Sequence, residues 1–107
     1  MSCLKEVYQT ILERRDHPVE KSYTHYLFEQ GLDKVLKKVG EESAETIIAA
    51  KNGDNTETIG EIADLAYHLM VMMAMQNITP EDIENKLYER HSKGGNLKNF
   101  HTVDKNT

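Results

Sequence analysis

The stretch EIADLAYHLMVMMAM, residues 61–75, indicates the fold of this chain more directly than any other segment. It begins as an amphipathic helix but becomes apolar on nearly all sides from Leu65 to Met75, which implies burial all round. One chain of 107 residues with about four helices is not expected to enclose such a segment alone. We therefore expect a second copy of the chain to pack against this helix and complete a shared bundle.

Outside this segment, apolar residues again recur at helical spacing, and the alternation typical of strands is absent. Prolines and glycines are few and stand where helices should begin or end, with Thr24 as the expected N-cap of a short helical turn. The predicted helices span about residues 2–15, 25–30, 32–52, 56–76 and 80–91. The sequence therefore predicts an all-α bundle of four to five helices in a single domain over residues 1–95, followed by a flexible tail over residues 96–107.

Composition restricts the partners and the location of the protein. The formal net charge is −5, so general attraction to nucleic acid or to an anionic membrane is not expected. Cys3 is the single cysteine, which excludes an internal disulfide and fits a reducing compartment. No apolar run reaches about 18 residues, and the N-terminus lacks the pattern of a signal peptide. We therefore expect a cytoplasmic protein with neither a nucleic-acid nor a membrane partner.

Five acidic residues crowd the edge of the predicted core: Glu41, Glu42, Glu45, Glu61 and Asp64. Glu42 and Glu45 form an i,i+3 pair on one long helix, and Glu61 and Asp64 form another on the next helix. The short loop makes these helices antiparallel and places both pairs at similar depth. Solvated surface acids are the ordinary interpretation of either pair alone, but four converging carboxylates repel strongly unless they are protonated or bind a cation. Oxygen ligands suit Mg²⁺ or Mn²⁺, so we expect one of these ions among the acids.

The same helices carry features for which the residues leave alternatives open. A di-iron bundle would carry Glu-x-x-His on two helices, whereas this chain has Glu-x-x-Glu and Glu-x-x-Asp. His68 follows Asp64 by four residues and could orient a carboxylate, although a purely structural hydrogen bond is the commoner role. Lys38 lies one turn before the acids and could bind a phosphate that also contacts the metal, or it could be an ordinary surface charge.

The acid pattern is also that of a known superfamily. EESAE at residues 41–45, fifteen intervening residues and EIAD at residues 61–64 resemble the Glu-Glu-x-x-Glu … Glu-x-x-Asp signature of the all-α nucleotide pyrophosphohydrolases, which include dimeric dUTPases and the MazG proteins. Two longer blocks are more similar to the phosphoribosyl-ATP pyrophosphohydrolase family. They are RRDHPVEKSYTHYLFEQGLDKVLKKVGEESAE at residues 14–45 and EIADLAYHLMVMMAMQNITPEDIENKLYERH at residues 61–91. The Ser-Tyr-Thr of the first block and the Tyr-His of the second make this narrower resemblance specific.

The resemblance implies a MazG-like helical bundle completed by homodimerisation. It also implies hydrolysis of phosphoribosyl-ATP to phosphoribosyl-AMP and pyrophosphate, the second step of histidine biosynthesis. The Mg²⁺ (or Mn²⁺) ligands that it implies are Glu42, Glu45, Glu61 and Asp64, and Glu41 becomes the candidate for orienting the attacking water. Many relatives are fused to the phosphoribosyl-AMP cyclohydrolase that acts next, which we expect here as a separate protein.

The residues that would recognise the phosphoribosyl group are less closely determined. We expect Arg15, Lys38 or Lys93 to contact its phosphate, and Tyr23 or His25 to reach its ribose. A house-cleaning (d)NTP pyrophosphohydrolase would share the metal site but not this pocket. A catalytically silent helical dimerisation module would leave the acids solvated. A panel of substrates separates a phosphoribosyl-ATP pyrophosphohydrolase from a house-cleaning enzyme. Mg²⁺-dependent release of pyrophosphate excludes the silent dimerisation module.

Overall fold

The computed structural model describes residues 3–93, so the predicted tail at 96–107 lies outside the described residues, as do both ends of the predicted domain. Within residues 3–93 the chain forms five α-helices and no strand. They are α1 (Cys3–Asp16), α2 (Tyr23–Gln30), α3 (Leu32–Lys51), α4 (Asn55–Met75) and α5 (Pro80–Ser92). The prediction of an all-α bundle with four to five helices is confirmed.

The starts of α4 and α5 follow from side-chain caps that the sequence encodes locally. Asp54 accepts a hydrogen bond from the backbone N–H of Glu57 at 3.0 Å, which satisfies one of the free donors at the start of α4. At α5, Thr79 and Asp82 each accept a hydrogen bond from the other's backbone N–H, and Pro80 occupies the first turn. The predicted start of α5 is therefore confirmed.

The predicted cap of α2 is wrong. Ser22, not Thr24, caps this helix, since its hydroxyl accepts a hydrogen bond from the backbone N–H of His25 at 3.2 Å. The Thr24 hydroxyl instead lies 2.5 Å from the hydroxyl of Tyr67 on α4. At the other end of α2, Gly31 alone connects α2 to α3, and its φ of 93° is in the left-handed region that favours glycine.

The core lies where α1, α2 and α3 pack around the C-terminal half of α4. The largest fully buried side chains come one from each of the first four helices: Ile11, Leu27, Val35 and Val71. Each such side chain contributes about 1.5–3 kcal/mol when it leaves water. Tyr8 on α1 also donates a hydrogen bond of 2.6 Å to the backbone carbonyl of Ile78, which fixes α1 against the connection between α4 and α5.

Apolar surface remains uncovered at the opposite end of the bundle, near the loop between α3 and α4. The exposed side chains there are Ile47 (68%), Ile48 (59%), Ile59 (68%) and Ile62 (50%). By contrast, the chain itself buries much of the apolar segment at 65–75, including Met70, Val71, Met73 and Ala74. Every residue from 65 to 75 is buried or partly buried by the single chain, so the expectation that a partner must cover this segment is wrong. The homodimer stays a prediction.

None of the helices within residues 3–93 is long and apolar enough to cross a membrane.

Candidate functional site

The four predicted metal ligands lie on α3 and α4, which pack against each other along the acidic segment. Glu42 and Glu45 belong to α3, and Glu61 and Asp64 belong to α4. The pKa of the Glu61 carboxyl is raised, first by partial removal of water from its surroundings. The negative charges of Glu45, Asp64, Glu57 and Glu42 raise it further, in that order. The structure therefore brings all four predicted ligands into one region of negative potential.

Glu42 has the clearest unmet bonding capacity in this region. Its side chain is 13% exposed, and its Oε1 lies 2.5 Å from Nδ1 of His68. That Nδ1–H points to the backbone carbonyl of Asp64, 3.0 Å away, rather than to the carboxylate. Within the described residues, Oε1 of Glu42 is thus buried without a hydrogen-bond partner. An unmet buried polar group costs about 1–3 kcal/mol, and more when it is charged.

These two observations, the unpaired oxygen of Glu42 and the repulsion at Glu61, fit a bound cation. Carboxylate oxygens are hard ligands, so the donor set suits Mg²⁺ or Mn²⁺. In residues 3–93, no three acidic, histidine or cysteine side chains lie close enough together to hold an ion as they stand. Without an ion the carboxylates repel one another, which keeps them apart. To bind a cation together, these side chains would have to rotate towards it. The ligand set stays a prediction.

Glu41, the predicted water-orienting residue, is placed differently from the other acids. Like Glu45 and Asp64 it is exposed, but its Oε1 lies 3.7 Å from Nζ of Lys38 one turn earlier on α3. Glu41 is also absent from the charges that raise the pKa of Glu61. The structure thus pairs Glu41 with Lys38 at the edge of the acidic region rather than within it.

His68 is enclosed by aromatic residues from two helices, a feature that sequence reasoning missed. The residue is 5% exposed, and its Nε2 lies 2.9 Å from the hydroxyl of Tyr23 on α2. The rings of Tyr23 and Tyr67 meet the imidazole edge-on, with centroids 5.7 Å and 5.0 Å away. Tyr23 and His68 are 45 positions apart, so no local pattern links them. The only signal was that both belong to blocks that carry the family resemblance.

Tyr23 also connects the acidic region with a predicted phosphate ligand. Burial raises the pKa of the Tyr23 hydroxyl, while the positive charge of Lys38 opposes this rise and the negative charge of Glu42 adds to it. Lys38, Tyr23 and Glu42 are therefore close enough to sense one another's charge. Two helices, α2 and α3, contribute to this neighbourhood.

Two of the predicted substrate ligands share a surface groove. Tyr23 and His25 line an open groove of about 720 Å³ together with Lys21, Tyr26 and other residues of the segment before and within α2. The rings of Tyr23 and Tyr26 are stacked with centroids 6.0 Å apart. Nε2 of His25 lies 3.5 Å from a carboxylate oxygen of Glu29. The groove thus offers aromatic surface and polar atoms beside the acidic region.

The remaining predicted substrate ligands lie elsewhere. Arg15, at the end of α1, contacts Asp16 at 2.9 Å and donates a hydrogen bond of 3.4 Å to the backbone carbonyl of Ala74. It lines a separate pocket of about 370 Å³ with Phe28 and other residues. Lys93 is exposed at the end of α5. Lys38 does not line the groove of Tyr23 and His25, although its charge acts on Tyr23, and Arg15 lies in a different pocket.

Comparison with known proteins gives a single result. A family model described as phosphoribosyl-ATP pyrophosphohydrolase matches residues 4–91. A histidine biosynthesis bifunctional protein HisIE from Lactococcus lactis subsp. lactis is 57% identical over 97 residues, which are 91% of this chain and 46% of that protein. Phosphoribosyl-ATP pyrophosphatases from Clostridium botulinum (strain Hall) and Streptococcus thermophilus are 54% and 50% identical.

The extent of these matches differs between the two kinds of relative. The similarity to the Clostridium protein covers 92% of this chain and 89% of that protein, and for the Streptococcus protein the shares are 88% and 90%. This chain spans less than half the length of the bifunctional relatives that it matches.

Proposed function

This chain belongs to the phosphoribosyl-ATP pyrophosphohydrolase family, and we propose that it hydrolyses phosphoribosyl-ATP to phosphoribosyl-AMP and pyrophosphate in histidine biosynthesis. In this reaction the bond between the α- and β-phosphates breaks, and the oxygen of a water molecule takes the place of the departing group. The observation that carries the proposal is the set of acids on α3 and α4, with the unpaired, buried Oε1 of Glu42 among them.

The acids have a direct part in this chemistry. Glu42, Glu45, Glu61 and Asp64 would hold Mg²⁺, or Mn²⁺ in its place. When bound, the ion neutralises the charge of the polyphosphate and favours an activated water. Without that neutralisation, four carboxylates would repel an anionic substrate from this surface.

Other residues would position the reactants. Glu41 lies at the edge of the acids and would accept a hydrogen bond from the attacking water, while Lys38, 3.7 Å from Glu41, would contact a phosphate oxygen. Tyr23 and His25 line the adjacent groove and would contact the ribose. Arg15 and Lys93 remain candidates for the second phosphate, although Arg15 lines a different pocket.

The same proposal includes a homodimer. The exposed isoleucines at the α3–α4 end of the bundle are the apolar surface that a second copy would cover. Several large apolar side chains exposed at one end of a bundle favour an interaction surface there.

The proposal is tested by measuring pyrophosphate release from phosphoribosyl-ATP, ATP, dUTP and dCTP with Mg²⁺, side by side. A site that pairs a phosphate and sugar hydroxyls leaves polar groups unmatched when these are missing, so we expect a preference for phosphoribosyl-ATP on the order of 10³-fold or more in kcat/KM. Comparable turnover of dUTP would favour a house-cleaning (d)NTP pyrophosphohydrolase. No release from any nucleotide would favour a non-catalytic dimerisation module. A parallel series with EDTA is the control for metal dependence.

A further inference from the structure

Building on the proposed function, we propose that His68 is a positioning residue for the cation site, and that Tyr23 holds the imidazole in the orientation that this role needs. His68 is only 5% exposed, so the role that we assign to it does not depend on contact with the substrate. It acts through Glu42 on α3, whose Oε1 lies beside its Nδ1, and through the backbone carbonyl of Asp64 one turn earlier on α4.

The hydrogen bonds of His68 determine which ring nitrogen carries the proton. Nδ1 lies 3.0 Å from the backbone carbonyl of Asp64, which can only accept, so Nδ1 is the donor. In the neutral ring Nε2 is then the acceptor, and the hydroxyl of Tyr23 donates to it at 2.9 Å. The contact with Tyr23 therefore selects the tautomer that donates its Nδ1–H to the backbone carbonyl of Asp64 and places this nitrogen beside Oε1 of Glu42.

The contact with Glu42 restricts the carboxylate. Oε1 of Glu42 is buried and lies 2.5 Å from Nδ1, so the imidazole closes one side of the space that this carboxylate can occupy. The positive end of the N–H dipole is the nearest polar group of His68 to this negative oxygen. Side chains that orient metal-binding residues in this way typically change metal affinity by about 10- to 100-fold when they are replaced.

The position of Tyr23 extends the same contact to the substrate groove. Tyr23 lines the groove on α2, His68 lies on α4 and Glu42 lies on α3. A single run of contacts thus joins three helices, and it passes from the groove to a predicted metal ligand. A purely structural histidine would stabilise the fold but would not need its donor nitrogen beside Oε1 of Glu42.

The test measures Mn²⁺ binding to the full chain by isothermal titration calorimetry, without nucleotide. His68→Asn keeps an amide nitrogen attached at Cγ, as Nδ1 is, whereas His68→Gln places its nitrogen further out, nearer to Nε2. We expect His68→Gln to weaken Mn²⁺ binding by about 10- to 100-fold, and His68→Asn to retain most of the affinity. Tyr23→Phe should weaken it by about two- to tenfold, the range for loss of one neutral hydrogen bond.

Tyr67→Phe is the matched control, because it removes another hydroxyl contact between α2 and α4, that with Thr24, and leaves both nitrogens of His68 paired. It should bind Mn²⁺ like the wild type. Circular dichroism of each metal-free variant verifies folding, and if the His68 variants do not fold, the exposed Tyr23 and its control decide the question.

Equal Mn²⁺ affinity of the wild type, His68→Gln and Tyr23→Phe would overturn the inference, as would an equal loss in Tyr23→Phe and Tyr67→Phe. A wild type that binds Mn²⁺ but does not hydrolyse phosphoribosyl-ATP would overturn the proposed reaction and leave the role of His68 supported if the variants behave as expected. A wild type that binds no Mn²⁺ would overturn both.

Discussion

Replacing Glu42 with glutamine should have opposite effects on stability with and without a divalent cation. Glutamine has nearly the same shape as glutamate but no charge. In the metal-free chain, Oε1 of Glu42 is buried and unpaired within the described residues, and Glu42→Gln exchanges this carboxylate oxygen for a neutral amide group. The variant should therefore be more stable than the wild type when the cation is removed.

The size of this effect follows from the burial of the side chain. An unmet buried polar group costs about 1–3 kcal/mol. Glutamine leaves a polar group at this place and removes only the charge, and Glu42 is 13% exposed, so we expect the variant to gain about 1 kcal/mol at most. For a domain of this size, that gain raises Tm by about 4–8 °C. Saturating Mg²⁺ should reverse the order, because a ligand at 100 times its Kd stabilises the wild type by about 2.7 kcal/mol.

Thermal unfolding followed by circular dichroism measures both effects, in EDTA and in Mg²⁺ or Mn²⁺, at one fixed protein concentration. Glu84→Gln removes an exposed acid on α5 and is the control, which should change Tm little in either condition. The reasoning is refuted if Glu42→Gln is less stable than the wild type in EDTA, or if both proteins gain equally from the cation.

Three further outcomes follow from the site and the surface. Glu45→Gln and Asp64→Asn should each lower pyrophosphate release by on the order of 10²-fold or more, with the helical fold intact, and near-normal rates at saturating Mg²⁺ would contradict the ligand assignment. The pKa of Glu61 is raised in the folded chain, so ionising this carboxyl is less favourable there than in the unfolded chain. The stability that Glu61 contributes without metal is therefore fully present below the ordinary glutamate pKa and is lost as pH rises through the folded value. The Tm difference between Glu61→Gln and wild type in EDTA should therefore widen as pH rises through that range, and a constant difference would refute this. Ile59→Glu should shift sedimentation towards monomer without unfolding the chain, since Ile59 is 68% exposed; a wild type that sediments as a stable monomer at micromolar concentration would contradict the homodimer.

Much of the fold could be predicted from the sequence because its signals are local. Apolar spacing indicated the long helices α1, α3 and α4, and proline, glycine and capping residues indicated α2 and the start of α5. The cap of α2 could not be decided in this way, since Ser22 and Thr24 both carry a suitable hydroxyl. The Thr24 hydroxyl contacts Tyr67, 43 positions away, and Ser22 is therefore the residue that caps the helix.

Exposure of the apolar residues was harder to predict for a related reason. Helical periodicity identifies an apolar face but does not say whether the same chain or a second copy covers it. Val35 and Ile47 are both apolar residues of α3, yet Val35 is fully buried and Ile47 is 68% exposed. The difference arises because α1 and α2 reach only the half of the bundle that contains the N-terminal part of α3.

The candidate site shows the same division between local and distant signals. The i,i+3 spacing of the acids and the short loop were enough to place Glu45 and Glu61 near each other, as the raised pKa of Glu61 indicates. The separation of Glu41 from the other acids depends on a rotamer and on Lys38, which spacing does not fix. The contact between Tyr23 and His68 depends on how α2 crosses α4, and no single segment encodes that crossing.

The helices that carry the two halves of the site differ in how firmly they are held. The acids lie on α3 and α4, the two longest helices, with 20 and 21 residues, whereas Tyr23 and His25 lie on α2, which has only 8. So short a helix is not stable by itself and depends on tertiary contacts. In α2 these are the fully buried Leu27 and the hydroxyl contacts of Tyr23 and Thr24 with α4. Those contacts therefore help to set the distance between the groove and the acids. If the proposed function holds, a substrate that spans both would be recognised only when they are formed.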